Sequence, residues 1–289
     1  MRRLVVGLCG LLFAGLVLAA GPAAVRKRVE LSMLATGSIV VAPDGSVRSF
    51  ELDQPEKLPQ PVVELVQHAV PDWRFQPVLL DGKPVAAKAK MAVRFVATPS
   101  DKDNYQLRII GASFGDSNEK SSDQIAFKDR SAPVYPRDAV MAHAAGTVIL
   151  VIRVGRDGLV ADASAEQVNM TSIGSDSELR VWRKVLASAC LSQARTWTFA
   201  PPTTGPHASN DFWVVRVPIT FNLNEGGRSK KEVYGQWLAY VPGPKEPVPW
   251  MEKLKTANDG RNGATDALPD GGLNLVGSGL TLTTPLQSS

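Results

Sequence analysis

Apolar and polar positions alternate in two modes along this chain, and the modes recur in the same order. Gly37 to Ala42 and Val47 to Leu52 read as strands flanking Pro43-Asp44-Gly45-Ser46, a tight-turn sequence that predicts an antiparallel hairpin. Val62, Leu65, Val66 and Ala69 then repeat at helical spacing between Pro61 and Pro71. Trp73-Arg74-Phe75-Gln76-Pro77 follows, then an Asp81-Gly82 turn and a strand over Val85 to Ala97. Tyr105 to Phe114 is strand-like and either adds an edge to this first sheet or begins the connection.

The same order returns further on. Pro136 opens a short helix through Ala139, Val140 and Ala144 that ends at Gly146. Thr147 to Val154 and Leu159 to Val168 flank Arg156-Asp157-Gly158 as a second hairpin. Ser175 and Glu178 match a capping box ahead of Leu179, Trp182, Leu186, Ala189 and Cys190, which trace one helical face. Trp197-Thr198-Phe199-Ala200-Pro201 and a strand over Phe212 to Leu223 complete the repeat. Because self-similarity at a long period marks duplicated folding units, the reading is two related domains, 29–114 and 131–224, joined by a linker at 115–130.

Five segments carry a family resemblance: Pro133-Val134-Tyr135-Pro136, Ala144-Ala145-Gly146-Thr147-Val148, Arg156-Asp157-Gly158-Leu159-Val160, Trp197-Thr198-Phe199-Ala200-Pro201 and Val217-Pro218-Ile219-Thr220-Phe221. Together they resemble the C-terminal domain of TonB-type proteins, with Tyr135, Pro136, Gly146, Asp157, Gly158, Trp197, Phe199 and Pro201 as signature positions. The first domain resembles it more distantly, without the opening helix or the Tyr-Pro pair. The resemblance implies an α+β fold of two tandem units, each a three-stranded antiparallel sheet against one or two helices. It also implies a last strand that accepts an extended peptide from an outer-membrane receptor.

Pro218 supports an edge from the residues themselves, since a residue without an N–H is tolerated mainly where a strand faces an open side. The peptide-binding edge is assigned to Val214, Val215, Arg216, Val217, Ile219, Thr220 and Phe221. Replacing Ile219 by proline is expected to remove a donor from that edge. The competing expectation pairs Met91 to Val96 with Phe212 to Leu223, closing both edges within the monomer; self-association through open strand edges is a separate partner expectation.

Composition bounds the rest. The chain has 289 residues, 44% hydrophobic and 21% charged, with a formal net charge of +4 and scattered basic residues, so a nucleic-acid partner is not expected. Met1-Arg2-Arg3, the apolar run to Leu18 and the small residues Ala19-Ala20-Gly21 read as a cleaved signal peptide over 1–20 and hence a periplasmic protein. The alternative is an uncleaved inner-membrane anchor, as an energy transducer for outer-membrane transport would need. Against transduction stand the lack of a long proline-rich spacer and of a polar residue in the apolar run. After cleavage Cys190 alone remains, as a small buried apolar residue, with no intramolecular disulfide.

Chemistry is sparse. His68, His143 and His207 fall in three settings without ligand spacing, and no nucleophile, phosphate-binding or metalloprotease motif occurs. No catalytic residue, metal, cofactor or small-molecule substrate is assigned. An enzyme reading would need a polar pocket between the domains containing His143 or Arg195. Residues 225–257 read as a Pro/aromatic arm that docks on the second domain, and 258–289 as a disordered tail. The expected function is a periplasmic interaction protein that binds an extended segment of an envelope or outer-membrane protein.

Overall fold

A computed structural model describes residues 25, 28–100, 104–115, 122–223, 233–252 and 267–286. The expected signal peptide, part of the linker, and portions of the arm and tail lie outside the described residues. The architecture is mixed α+β, and its strand ladders are antiparallel throughout the described residues.

In the N-terminal half, β1 (Glu30–Val41) turns at Asp44-Gly45 into β2 (Val47–Leu52), and α1 (Gln60–Ala69) follows. β3 (Val78–Leu80) and β4 (Lys83–Val85) form a small hairpin before β5 (Ala87–Pro99) and β6 (Tyr105–Gly115). β1 pairs with β5 from Leu31 to Val41, and β5 pairs with β6 from Lys90 to Pro99. Alternation along β1 and β5 puts Met33, Ala35, Ile39, Met91, Val93 and Phe95 on one face. They share a core with Val62, Val66 and Ala69 of α1. Trp73 and Phe75 close it, both edge-to-face with Phe114 of β6 at 5.6 and 4.9 Å.

In the C-terminal half, β7 (Ala126–Asp129) precedes α2 (Arg137–Met141), β8 (Gly146–Gly155), β9 (Val160–Met170), α3 (Asp176–Ala194), β10 (Thr198–Ala200) and β11 (Phe212–Phe221). β8 lies between β9 and β11. Its Val148, Leu150, Ile152 and Val154 join Val215 and Val217 of β11 and Leu179, Leu186 and Cys190 of α3 in a second core. Both bonds of the capping box at Ser175 and Glu178 are made, which satisfies two N–H groups that a helix start otherwise leaves orphaned.

Both Asp-Gly turns are built alike. Asp44 Oδ1 accepts the Ser46 amide and Asp157 Oδ1 the Leu159 amide, each at 3.0 Å. The glycines have φ of 85° and 77°, where a side chain is strained. A Cβ on Gly45 would lie 2.1 Å from the Phe75 carbonyl oxygen, and one on Gly158 2.2 Å from that of Phe199. The turn glycine therefore lets the Trp-x-Phe segment run against the hairpin: the Phe75 and Phe199 amides donate to the Gly45 and Gly158 carbonyls, each at 2.8 Å.

The remaining elements are β12 (Leu238–Tyr240), α4 (Pro249–Glu252) and β13 (Asn274–Leu275). β12 adds to β1 at Glu30 to Ser32, and the next residue, Val241, exchanges hydrogen bonds with Met170 of β9. The described part of the arm thus spans both halves rather than docking on the second alone. Val248 and Met251 pack on Val151, on the sheet face away from α3.

Two expectations need correction. The main sheets have five and four strands rather than three, because β6, β12 and β13 extend them. Residues 267–286 of the expected disordered tail are packed: Leu275 joins the α3 core, and Leu280 and Leu282 join the α1 core. Sparse apolar residues cannot form a core of their own, but placed at alternate positions they can enter cores that others have built.

Candidate functional site: the edge of the last strand

Along β11, β8 occupies one side from Phe212 to Phe221. Backbone groups of a strand alternate in direction, so only every second residue faces the other side. The outward set contains Val214, Pro218 and Thr220. The Val214 carbonyl accepts from Val276 N at 2.8 Å, the Pro218 carbonyl from Gly271 N at 2.8 Å, and the Thr220 amide donates to Asp270 Oδ1 at 2.7 Å. Arg216 lies opposite Asn274, and Val215 opposite Leu275. Pro218 therefore lacks its N–H on the outer side, where the loss costs the β8 ladder nothing.

The candidate residues divide into two groups. Val214, Arg216 and Thr220 present main-chain groups outward, whereas those of Val215, Val217, Ile219 and Phe221 turn toward β8. Proline at Ile219 would accordingly break the β8 ladder, not the edge, and the expectation for that substitution is corrected. Side chains divide the same way: Val215, Val217, Ile219 and Phe221 enter the α3 core. On the opposite face, Arg216 holds Glu166 through two bonds of 3.0 and 3.2 Å, with both side chains largely buried. Thr220 Oγ1 meets Thr147 Oγ1 at 3.0 Å.

The edge is also not vacant, as the sequence had suggested it would be. β13 covers it with two paired residues, and Asp270 supplies a side-chain acceptor further along. Nor do Met91 to Val96 pair with β11; in β5 they lie between β1 and β6.

The signature residues maintain this frame. Tyr135 Oη donates to the Ala144 carbonyl at 2.9 Å, and its ring lies 4.9 Å from that of Phe221. Pro136 precedes α2 in extended geometry. Gly146 starts β8 where a Cβ would meet the Asn169 carbonyl oxygen at 2.4 Å. Trp197 Nε1 donates to Ser131 O at 2.8 Å. Phe199 stacks 5.1 Å from Phe127, and Pro201 sits beside Gly158.

Sequence reasoning missed three participants. Asp270 and Leu275 fell in the expected tail, and Arg130 in the linker. Arg130 lies over the Phe127 and Trp197 rings at 4.5 and 5.3 Å, and its Nη1 donates to the Gly271 carbonyl at 2.7 Å. The Leu-x-Leu spacing of Leu273 and Leu275 was the available signal.

Elsewhere, the described residues contain no group of three or more His, Cys, Asp or Glu side chains placed to hold a metal. His68 and His143 are exposed on separate elements. A cleft of about 620 Å³ between the sheets is lined by Arg94, Thr220, Tyr234, Trp237 and Asp270 among others, and neither His143 nor Arg195 contributes to it. Cys190 is fully buried, and desolvation first, then the Asp270 carboxylate, push its thiol up to about 12. No helix among the described residues is long and apolar enough to cross a membrane. Compared with protein-family models, curated proteins and solved structures, the chain matches none.

Proposed function

We propose that this chain is a periplasmic interaction module, TonB-like in its two repeated units, that binds an extended segment of an envelope or outer-membrane protein by adding it as a strand to β11. The observation that carries this reading is the seating of residues 270–276, a turn followed by the two-residue strand β13, held against the edge by main-chain bonds and one carboxylate. A visitor would use the same outward groups.

Each such bond contributes about 1 kcal/mol net, while association costs about 4–15 kcal/mol. Main-chain bonds alone would therefore bind weakly, and side chains entering the α3 core must supply the remainder. Titration of the labelled full chain with an extended peptide of alternating aliphatic residues tests the reading: the amides of Val214, Arg216 and Thr220 should shift. Val214→Pro, which removes an outward N–H without touching the β8 ladder, should weaken the effect. Shifts confined to other surfaces would reject it.

A further inference from the structure

The seated segment shows what the β11 edge selects. Opposite Pro218 a regular partner strand would aim a carbonyl at a position without an N–H. Here the partner departs from regular pairing at Gly271-Gly272. The Gly271 amide reaches the Pro218 carbonyl, and Gly271 has φ of 68°. A Cβ on Gly271 would lie 2.7 Å from Arg130 Nη2, a side-chain end that can move aside, so it is the left-handed backbone that favours glycine in the passage under Arg130.

On one side of that passage the Asp270 carboxylate takes the Thr220 amide at 2.7 Å. On the other, Leu273 and Leu275 turn to the same face and pack in the α3 core. The far end of the segment is held separately. Leu280 and Leu282 are buried in the α1 core, the Gln76 amide donates to the Thr281 carbonyl, and Thr283 N donates to the Arg74 carbonyl. The chain beyond residues 270–276 is thus anchored independently of β11.

We propose that the β11 edge is a sequence-selective docking site for an extended protein segment bearing a carboxylate, then two small residues, then aliphatic residues three and five positions after the acid, and that residues 270–276 are its resident competitor. This rests on the strand-addition reading above. A tethered competitor lowers a visitor's apparent affinity by the fraction of time the edge is covered. That factor is the same for every visitor, so discrimination between a matching partner and unrelated extended chains comes from the acid and aliphatic positions, while the competitor sets the affinity a visitor must exceed.

The test uses the full chain and two fluorescent peptides. One copies residues 270–276; the other replaces the acid by Asn and both leucines by Ser. The double variant Asp270→Ala/Leu275→Ala should bind the copy at least about tenfold more tightly than the parent does, and about tenfold more tightly than it binds the control. Should that variant fold poorly by circular dichroism, Asp270→Asn serves, with a gain of about threefold. Equal binding of both peptides would overturn the selectivity while leaving strand addition standing. Equal binding of the copy by parent and variant would overturn the competition. Binding of neither peptide would reject both proposals. A dimer that the copy peptide dissociates would place the segment on a neighbouring molecule and overturn the intrachain assignment.

Discussion

The two halves of the molecule finish their sheets differently. In the N-terminal half, β5 is covered from Lys90 to Pro99 by β6, which follows it directly in the chain. In the C-terminal half, β11 is covered at Val215 and Arg216 by β13, a strand that arrives from far along the sequence. A local hairpin partner forms with little loss of chain entropy and is hard to displace, whereas a distant two-residue partner needs other contacts to hold it. The lesson is that similar hairpins and Trp-x-Phe segments can lead into one strand paired along its length by its chain neighbour and another covered at two residues by a distant segment.

Truncating the plug of each margin should separate them most. Phe114→Ala removes the ring against Trp73 and Phe75 and should cost about 3–5 kcal/mol in urea unfolding. Leu275→Ala should cost about 2 kcal/mol, because a peripheral site relaxes more readily. Equal losses would break the comparison.

Alkaline pH sharpens it next, through a thiol found only in the C-terminal core. Burial raises the Cys190 value from 9.0 to about 12. The neutral form is thus favoured by the fold, and its contribution is complete below pH 9 and lost as pH climbs through about 12. Stability should fall by on the order of 1 kcal/mol per pH unit across that window, with the half-buried Tyr135 and Tyr234 hydroxyls, also raised first by desolvation, acting in the same direction. Chemical denaturation of Cys190→Ala should show a flatter decline; an unchanged slope would discount the thiol.

Hydrogen exchange addresses the margins directly. The Thr220 amide, held by one carboxylate, should exchange at least about tenfold faster than amides along the β5–β6 ladder. Comparable protection would mean that the two edges are equally closed.

The helices provide the smallest contrast. α1 starts without a side-chain cap, while α3 starts with a reciprocal one. Ser175→Ala should lose about 1 kcal/mol. Glu178 is held below its ordinary 4.5 by the Ser175 backbone and side-chain bonds. Its contribution is therefore present above that value and disappears as pH falls through the lowered one. An acid profile of Glu178→Gln identical to the parent's would exclude that carboxylate as its source.

Much of this arrangement was legible. Asp44-Gly45 and Asp157-Gly158 marked hairpins because the turns need left-handed backbone, and Ser175 with Glu178 marked a helix start because the N–H groups need acceptors. Pro218 marked the side of β11 where a donor could be absent. The short strands β7, β10, β12 and β13 had no legible periodicity, since two to four residues cannot display one. They exist because a neighbour offers a ladder. Asp270 was hidden inside a segment whose composition signalled disorder, and Leu275 showed there only through its spacing from Leu273.

Local chemistry in the chain determined the turns, the caps, the amphipathic faces and which strand could tolerate proline, since each depends on residues only a few positions apart. Tertiary structure alone decided what covers β11. That outcome depends on segments distant in sequence meeting in space, and on whether a few leucines find room in a core already built.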